Sequence, residues 1–522
     1  MRKKIILILL LLLTEIITLA ACSGGEHLLL AEYNRDAEAD IFLAELGAEQ
    51  SEWQTLAKDV ERTFLFAGDT ATFIPDSNRI LLWYVDGNDI RIEQMEIGDE
   101  APTEILEADA DMRLFGTVIQ DPFTVFITET RGFDSYRCYV SQEGAKADRR
   151  ARGSLCFMSE QGVIQLDLDQ EDGTTLTLIS LDGEEETVIL DEVEDVGTRI
   201  RYNQELTQFV YMVPDRNEAQ LFLIEPGAEE GEPLGEAFAI IDEFGFLGDG
   251  ETVYVSGKLD EDDNELGLFI NGTGEPLIEA DDIIGMGQSE DGKYAIFMTT
   301  SGDEMTAVLY SVDDGTVTEL LEGAFITQKG FPTEDYFLLQ TEDGDEQTLY
   351  SVRKDGSEVI ELLSTDAYDI LSFYMNHAAD QLLVQLRHED GSDAVYVTSL
   401  NEENGYFLVE DWYSLTILTA SEDQFIFWGK EDEEDDYALY SIPWAEDASE
   451  VELDDDADFG YRTAFLSEDG RSLYYTAVDR DFTDFEVRLV PVDGSERPER
   501  LYRDKHLLDV SWEGEPNLEQ IR

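Results

Sequence analysis

The chain runs to 522 residues and carries 119 Asp and Glu against 34 Lys and Arg, a formal net charge of −85. Proteins hold DNA, RNA and anionic lipid through Lys and Arg that neutralise phosphate, so this balance excludes a nucleic-acid binder. Hydrophobic residues make up 43% and aromatic residues 11%, too much apolar material for a disordered acidic chain, so the acids must coat a folded surface.

Arg2, Lys3 and Lys4 precede an apolar run, IILILLLLL, and then TEIITLAAC. A basic start followed by an apolar stretch too short for a comfortable membrane span reads as an export signal. Its last residues, Leu19, Ala20, Ala21 and Cys22, resemble the lipobox of bacterial lipoproteins, with Glu15 inside the apolar stretch as a departure. The resemblance implies cleavage before Cys22, lipidation of its thiol and a chain held outside the cytoplasm, at the cell surface or in the periplasm, by acyl chains alone. An ordinary secretory signal with a chance cysteine is the alternative. Ser23 stands where that family's inner-membrane retention signal has an aspartate. Residues 1–21 are then the signal peptide and 22–26 a lipidated N-terminus and short tether. The remainder holds 31 basic and 118 acidic residues, a net charge of −87. Self-repulsion of that size needs screening by salt or cations, as in a high-salt habitat; calcium loading or a basic partner would also meet it.

From residue 27 onward the chain repeats itself. Residues 27–60 read as a unit that lacks its first strand, and further units open near Phe64, Arg113, Leu155, Arg199 and Ile241. The clearest unit, IIGMGQSEDGKYAIFMTTSGDEMTAVLYSVDDGTVTELLEG, begins at Ile283. In it an apolar run, an Asp-Gly turn, two alternating runs and a second Asp-Gly turn lead to a strand ending in leucine. Asp-Gly between alternating runs marks a hairpin, because glycine accepts the positive φ of tight turns. Each unit therefore spells a four-stranded antiparallel meander. The third strands end at Val312, Val352, Thr398 and Ile442, 40, 46 and 44 residues apart, the period of propeller blades. The stretch LLDVSWEGEPN, 507–517, reads as a first strand with no unit after it. Joined to 27–60 it completes one blade from both termini and removes exposed edges. About eleven units result. Rings usually hold four to eight blades, so the expectation is two rings, 27–282 and 283–522, with one large ring as the alternative.

The stretches FIPDSNRILLW (73–83), SEDGKYAIF (289–297) and SEDGRSLYY (467–475) are similar to the Ser-Pro-Asp-Gly-Lys-x-Ile-x-Phe signature of TolB-type, WD40-like propeller repeats. Pro75 and Asp76 keep the family's pair, whereas the units at Ser289 and Ser467 replace the proline with glutamate. The resemblance implies an all-β propeller and leaves function open, since such propellers host many activities.

Few motifs carry chemistry. Cys138 and Cys156 lie 18 residues apart in strand-like runs; on the exported side they form a disulfide or are two small buried hydrophobes. His27, His377, His388 and His506 show no metal-ligand spacing, and GMGQSED fails the Gly-x-Ser-x-Gly elbow at its last glycine. Asp260, Asp262 and Asn264 alternate as in a calcium loop but lack its glycine and terminal glutamate. Asp432, Asp435 and Asp436 crowd the loop KEDEEDDY. Each acidic run is a weak Ca2+ candidate or a solvated loop. The tryptophans fall mostly in strand-like runs and read as core. The expected function is a lipid-anchored, non-catalytic binding or scaffold module for an envelope protein or glycan, the short tether holding it near the membrane. The rivals are an exported hydrolase or lyase using carboxylates and a bound cation, and a cation or solute sensor.

Overall fold

The computed structural model describes residues 27–521, except for 34–37, 46–51, 62–70, 75–76, 110–112, 120–123, 131–135, 170–172, 197–198, 216–217, 261–262, 377–380, 456–463, 468–469, 479–484, 505–507, 513–517 and isolated single positions. Among the described residues there is no α-helix, and the strands pair in antiparallel order. Four consecutive strands make one blade. Blades 3 to 11 span 113–153, 155–193, 200–233, 240–280, 282–323, 325–365, 368–412, 414–454 and 464–504. Blade 2 (71–109) and blade 1 share an eight-stranded sheet, linked by the single pair Glu61 and Val85. Blade 1 takes its first strand from Leu508–Trp512, which pairs with His27–Tyr33, followed by Glu38–Glu45 and Gln54–Glu61. The blade shared by both ends of the chain is therefore real.

The turn between first and second strands shows why the repeat looks disguised. In blade 7, Ser289 accepts the N–H of Gly292 on its carbonyl, donates its own N–H to Tyr294 O and accepts from Tyr294 N on Oγ at 3.1 Å. Ser467, Gly470 and Ser472 repeat this in blade 11. Blade 5 builds the same turn from other residues. Asn203 Oδ1 accepts from Thr207 N and Gln208 N, and Leu206 takes the positive φ, 53°, that glycine holds elsewhere.

A second repeated device lies in the fourth strand. Opposite the third strand it carries one extra residue, a β-bulge that turns a side chain out of the sheet. That residue is Leu56, Ile105, Ile189, Leu320, Leu362, Leu408, Leu453 and Leu501 in blades 1, 2, 4, 7, 8, 9, 10 and 11. Each packs in the apolar cluster shared with the next blade. In blade 3 Arg150 holds the place, and its Nε donates to Leu181 O of blade 4 at 2.6 Å.

The core is thus a set of seams, one per junction, and their order decides the architecture. Consecutive blades share a seam all the way round, and Val478, Phe485 and Val487 of blade 11 meet Leu28, Leu30 and Ala44 of blade 1. The fold is a β-propeller. The expected division at 282 coincides with a blade boundary, yet Leu247, Leu268 and Ala280 pack across it on Ile283, Phe297 and Val308. The described seams follow the chain order from blade 1 to blade 11 and return to blade 1.

After closing blade 1 the chain makes one more strand, Leu518–Ile521, which pairs with the first strand of blade 9 (Tyr368–Asn376), Phe373 opposite Ile521. Five residues separate it from Trp512 and reach about 20 Å. The first strands of blades 1 and 9 therefore face one interior space, and first strands form the inner wall.

Candidate functional site

Cys22 lies outside the described residues, as do Asp262, His377 and His506. The two acidic runs occupy equivalent loops, between second and third strands of blades 6 and 10. Each folds over a lysine of its own blade. Lys258 Nζ donates to Asp263 O and Asn264 O at 3.0 and 3.1 Å, and Asp260 N donates to Asp263 Oδ2. Lys430 Nζ donates to Glu433 O at 2.8 Å, Asp432 N donates to Asp435 Oδ2, and the ammonium lies over the rings of Tyr413 and Tyr437. In each loop the lysine ammonium is held by backbone carbonyls of the acidic run. No group of three or more His, Cys, Asp or Glu placed to hold a metal occurs among the described residues.

Cys138 and Cys156 are free thiols that meet across the junction of blades 3 and 4. A hydrogen bond between them is the main cause of a lowered pKa at Cys138 and, with burial, a raised one at Cys156. Cys138 is thus the thiol that ionises first. Trp83 and Trp412 are buried, as expected of core residues, and Trp444 is half-buried with Nε1 donating to Ser421 O at 2.9 Å.

A cleft of about 790 Å³ opens at the turn end of blades 5, 6 and 7, within the size range of small-ligand sites. Blade 5 contributes Arg201, Tyr202 and the turn through Gln208; blade 6 contributes Phe244, Phe246 and Tyr254; blade 7 adds Gln288. Its walls are fixed from behind. Asn203 Nδ2 donates to Thr207 Oγ1 and across to Gly250 O at 2.9 Å, and Gln288 Nε2 donates to Phe246 O at 2.9 Å. Glu243 accepts from Gly285 N, and burial, then the Glu243 carboxylate, pushes the Tyr254 phenol up, keeping it neutral. Arg201 sits 5.4 Å from the centre of the Phe244 ring. Gln208 Oε1 is shielded from solvent and meets no donor among the described residues. Tyr202 is 36% exposed and lies 6.4 Å from Phe157, 39% exposed, on the first strand of blade 4. Braced turns, two partly exposed rings and polar lining groups make this cleft the candidate site. Sequence reading missed it because its residues come from three units, each of which reads as ordinary turn.

A second cleft, of about 750 Å³, lies between blades 10 and 11 and is lined by Arg488, Arg497, Arg500 and Arg503 together with Glu452, Asp454 and Glu486. Its charges are largely spent on each other: Glu486 receives Arg488, Arg500 and Arg503 at 2.8, 3.3 and 3.6 Å.

No family model and no curated protein matches the chain. Among solved structures it is similar to a eukaryotic initiation factor, at 10% identity and a TM-score of 0.42, over 94% of this chain and all of the other. A TolB from Agrobacterium tumefaciens matches at 14% identity and a TM-score of 0.24, over 45% of this chain and 88% of its own. The tricorn protease matches at 10% identity and a TM-score of 0.27, over 93% and 63%. At these scores none bears on function, and the fold rests on the strand order and seams above.

Proposed function

We propose that the chain is a lipid-anchored, extracytoplasmic propeller of the TolB-like, WD40-like type, acting as a non-catalytic binding or scaffold module for a protein of the cell envelope. The observation that carries this reading is a row of exposed apolar side chains on an otherwise acidic protein. Ile240, Ile284, Phe325 and Leu371 stand on the first strands of four consecutive blades, 6 to 9, and are 43% exposed or more. These strands line the inner wall, so a partner covers the row by inserting a segment into the interior space. The tether of residues 23–26 keeps the ring beside the membrane, which favours a partner seated there.

In-cell cross-linking and purification of the tagged chain from native membranes tests the reading. One stoichiometric envelope protein is expected, lost from the Ile284→Asp/Phe325→Asp double variant; capture unaffected by that variant rejects the apolar row as the interface. Cys22→Ala is expected to shed the chain from membranes, and unchanged retention would sink the lipid anchor.

A further inference from the structure

We propose that the cleft between blades 5, 6 and 7 binds a neutral oligosaccharide. It is a second site, at the turn end of two of the strands that carry the apolar row, and its occupation does not depend on a protein partner.

The polar groups of the cleft are mixed in kind. Arg201 donates, Glu205 and Glu225 accept, and the Gln208 amide does both. A hydroxyl is likewise donor and acceptor, so a sugar can satisfy such a set, whereas a purely cationic or anionic ligand meets half of it. Gln208 lines the cleft, and its amide can both donate to and accept from a hydroxyl once the side chain turns outward. Beside the cleft, Phe157 and Tyr202 hold two open rings 6.4 Å apart, flat apolar surfaces of the sort that pack on the C–H face of a sugar ring.

Charge decides against anionic ligands. Glu205, Glu225 and Glu251 against the single Arg201 repel an anionic glycan or phosphate. Ammonium groups of a basic peptide are drawn to these carboxylates but offer Arg201 no acceptor, which a hydroxyl supplies. What remains is a neutral ligand rich in hydroxyls, held by hydrogen bonds and ring stacking.

The test is calorimetric titration of the full chain with maltotetraose, cellotetraose and chitotetraose, alongside tetragalacturonate and tetralysine. At least one neutral tetrasaccharide is expected to bind with a Kd of about 1 mM or tighter. Tyr202→Ala and Gln208→Leu, each checked to melt as the parent does, are each expected to weaken it about tenfold. Phe325→Asp should leave it unchanged, which separates this site from the apolar row. The proposal is overturned if no neutral sugar binds, if tetralysine or tetragalacturonate binds instead, or if neither cleft variant weakens the sugar.

Discussion

Arg488 Nη1 donates to Asp454 Oδ2 at 2.6 Å across the junction of blades 10 and 11, and the Tyr475 hydroxyl donates to the same oxygen. Side-chain exposure is 4% for Asp454 and 16% for Arg488, so neither charge can turn to water. Removing Asp454 leaves Arg488 its bond to Glu486 at 2.8 Å but takes away its cross-blade carboxylate and the acceptor of Tyr475, which costs about 2 kcal/mol. Asp454→Ala is expected to destabilise by that order in urea melts, and Asp454→Ala/Arg488→Met by clearly less. Equal losses in the single and double variants would show that the pair is uncoupled.

The bulge residues hold neighbouring blades together, so their truncation should act at the seams. Leu362, 1% exposed, fills the junction of blades 8 and 9. Leu362→Ala is expected to cost about 3 kcal/mol by the usual cavity penalty. Leu320→Ala should cost less, because Leu320 is only partly buried at its own seam. The ranking is read from chemical denaturation of the two variants.

Stability should pass through a maximum on acidification. Burial, then the carboxylates Glu450, Asp435 and Asp432, hold the Glu431 pKa above its ordinary value. The folded state therefore takes up a proton there before the unfolded chain does, and stability rises as pH falls through that pKa. Hydrogen bonds from serines hold Asp182, Asp355, Asp390 and Asp493 below the ordinary range, Asp390 at about 2. Their contribution is full above the unfolded aspartate pKa and is lost as pH falls from about 4 toward the folded values. The melting temperature should thus climb below neutrality and drop under about pH 3. A monotonic fall from pH 7 would contradict this.

Salt acts on the same charge. Raising NaCl from about 0.1 to about 1 M shortens the Debye length from about 10 to about 3 Å. With a formal charge of −85, the melting temperature is expected to rise over that range. A flat response would mean that the surface acids are already screened by one another's counterions.

The meeting of Cys138 and Cys156 can be tested with oxidised glutathione. Attack by one of the two thiolates on the glutathione disulfide releases one glutathione thiolate. Displacement by the other then releases the second and forms the bond between blades 3 and 4. Mass spectrometry should find two hydrogens lost, and a loop of 18 residues closed this way adds about 3 kcal/mol. Persistence of both thiols would leave them as packing residues.

Much of this architecture was legible in the sequence, for a definite reason. Expected blade starts at Arg113, Leu155, Arg199 and Ile241 fall within a residue of the observed strands, because Asp-Gly turns and alternating runs are local signals. The termini-sharing blade was legible for the same reason, each half being an incomplete unit. Ring number was not, since it depends on the angle at which one seam meets the next. Nor were the bulges: the leucines stand in plain view, but whether Leu453 pairs or stands free depends on Leu439 and Tyr440 opposite. Blade 5 hid its turn by using Asn203 and Leu206 in place of serine and glycine. The cleft was invisible because Tyr202, Tyr254 and Gln288 are neighbours only after three blades have packed.

The pairing of Leu508–Trp512 with His27–Tyr33 also sets an order of events in time. Leu508 follows His27 by 481 residues, and until the ribosome reaches it the inner edge of the earliest strand has no partner. Every nascent chain thus carries an open edge while ten blades are made behind it. The excess of acids, which repels a second copy, is useful first during that wait.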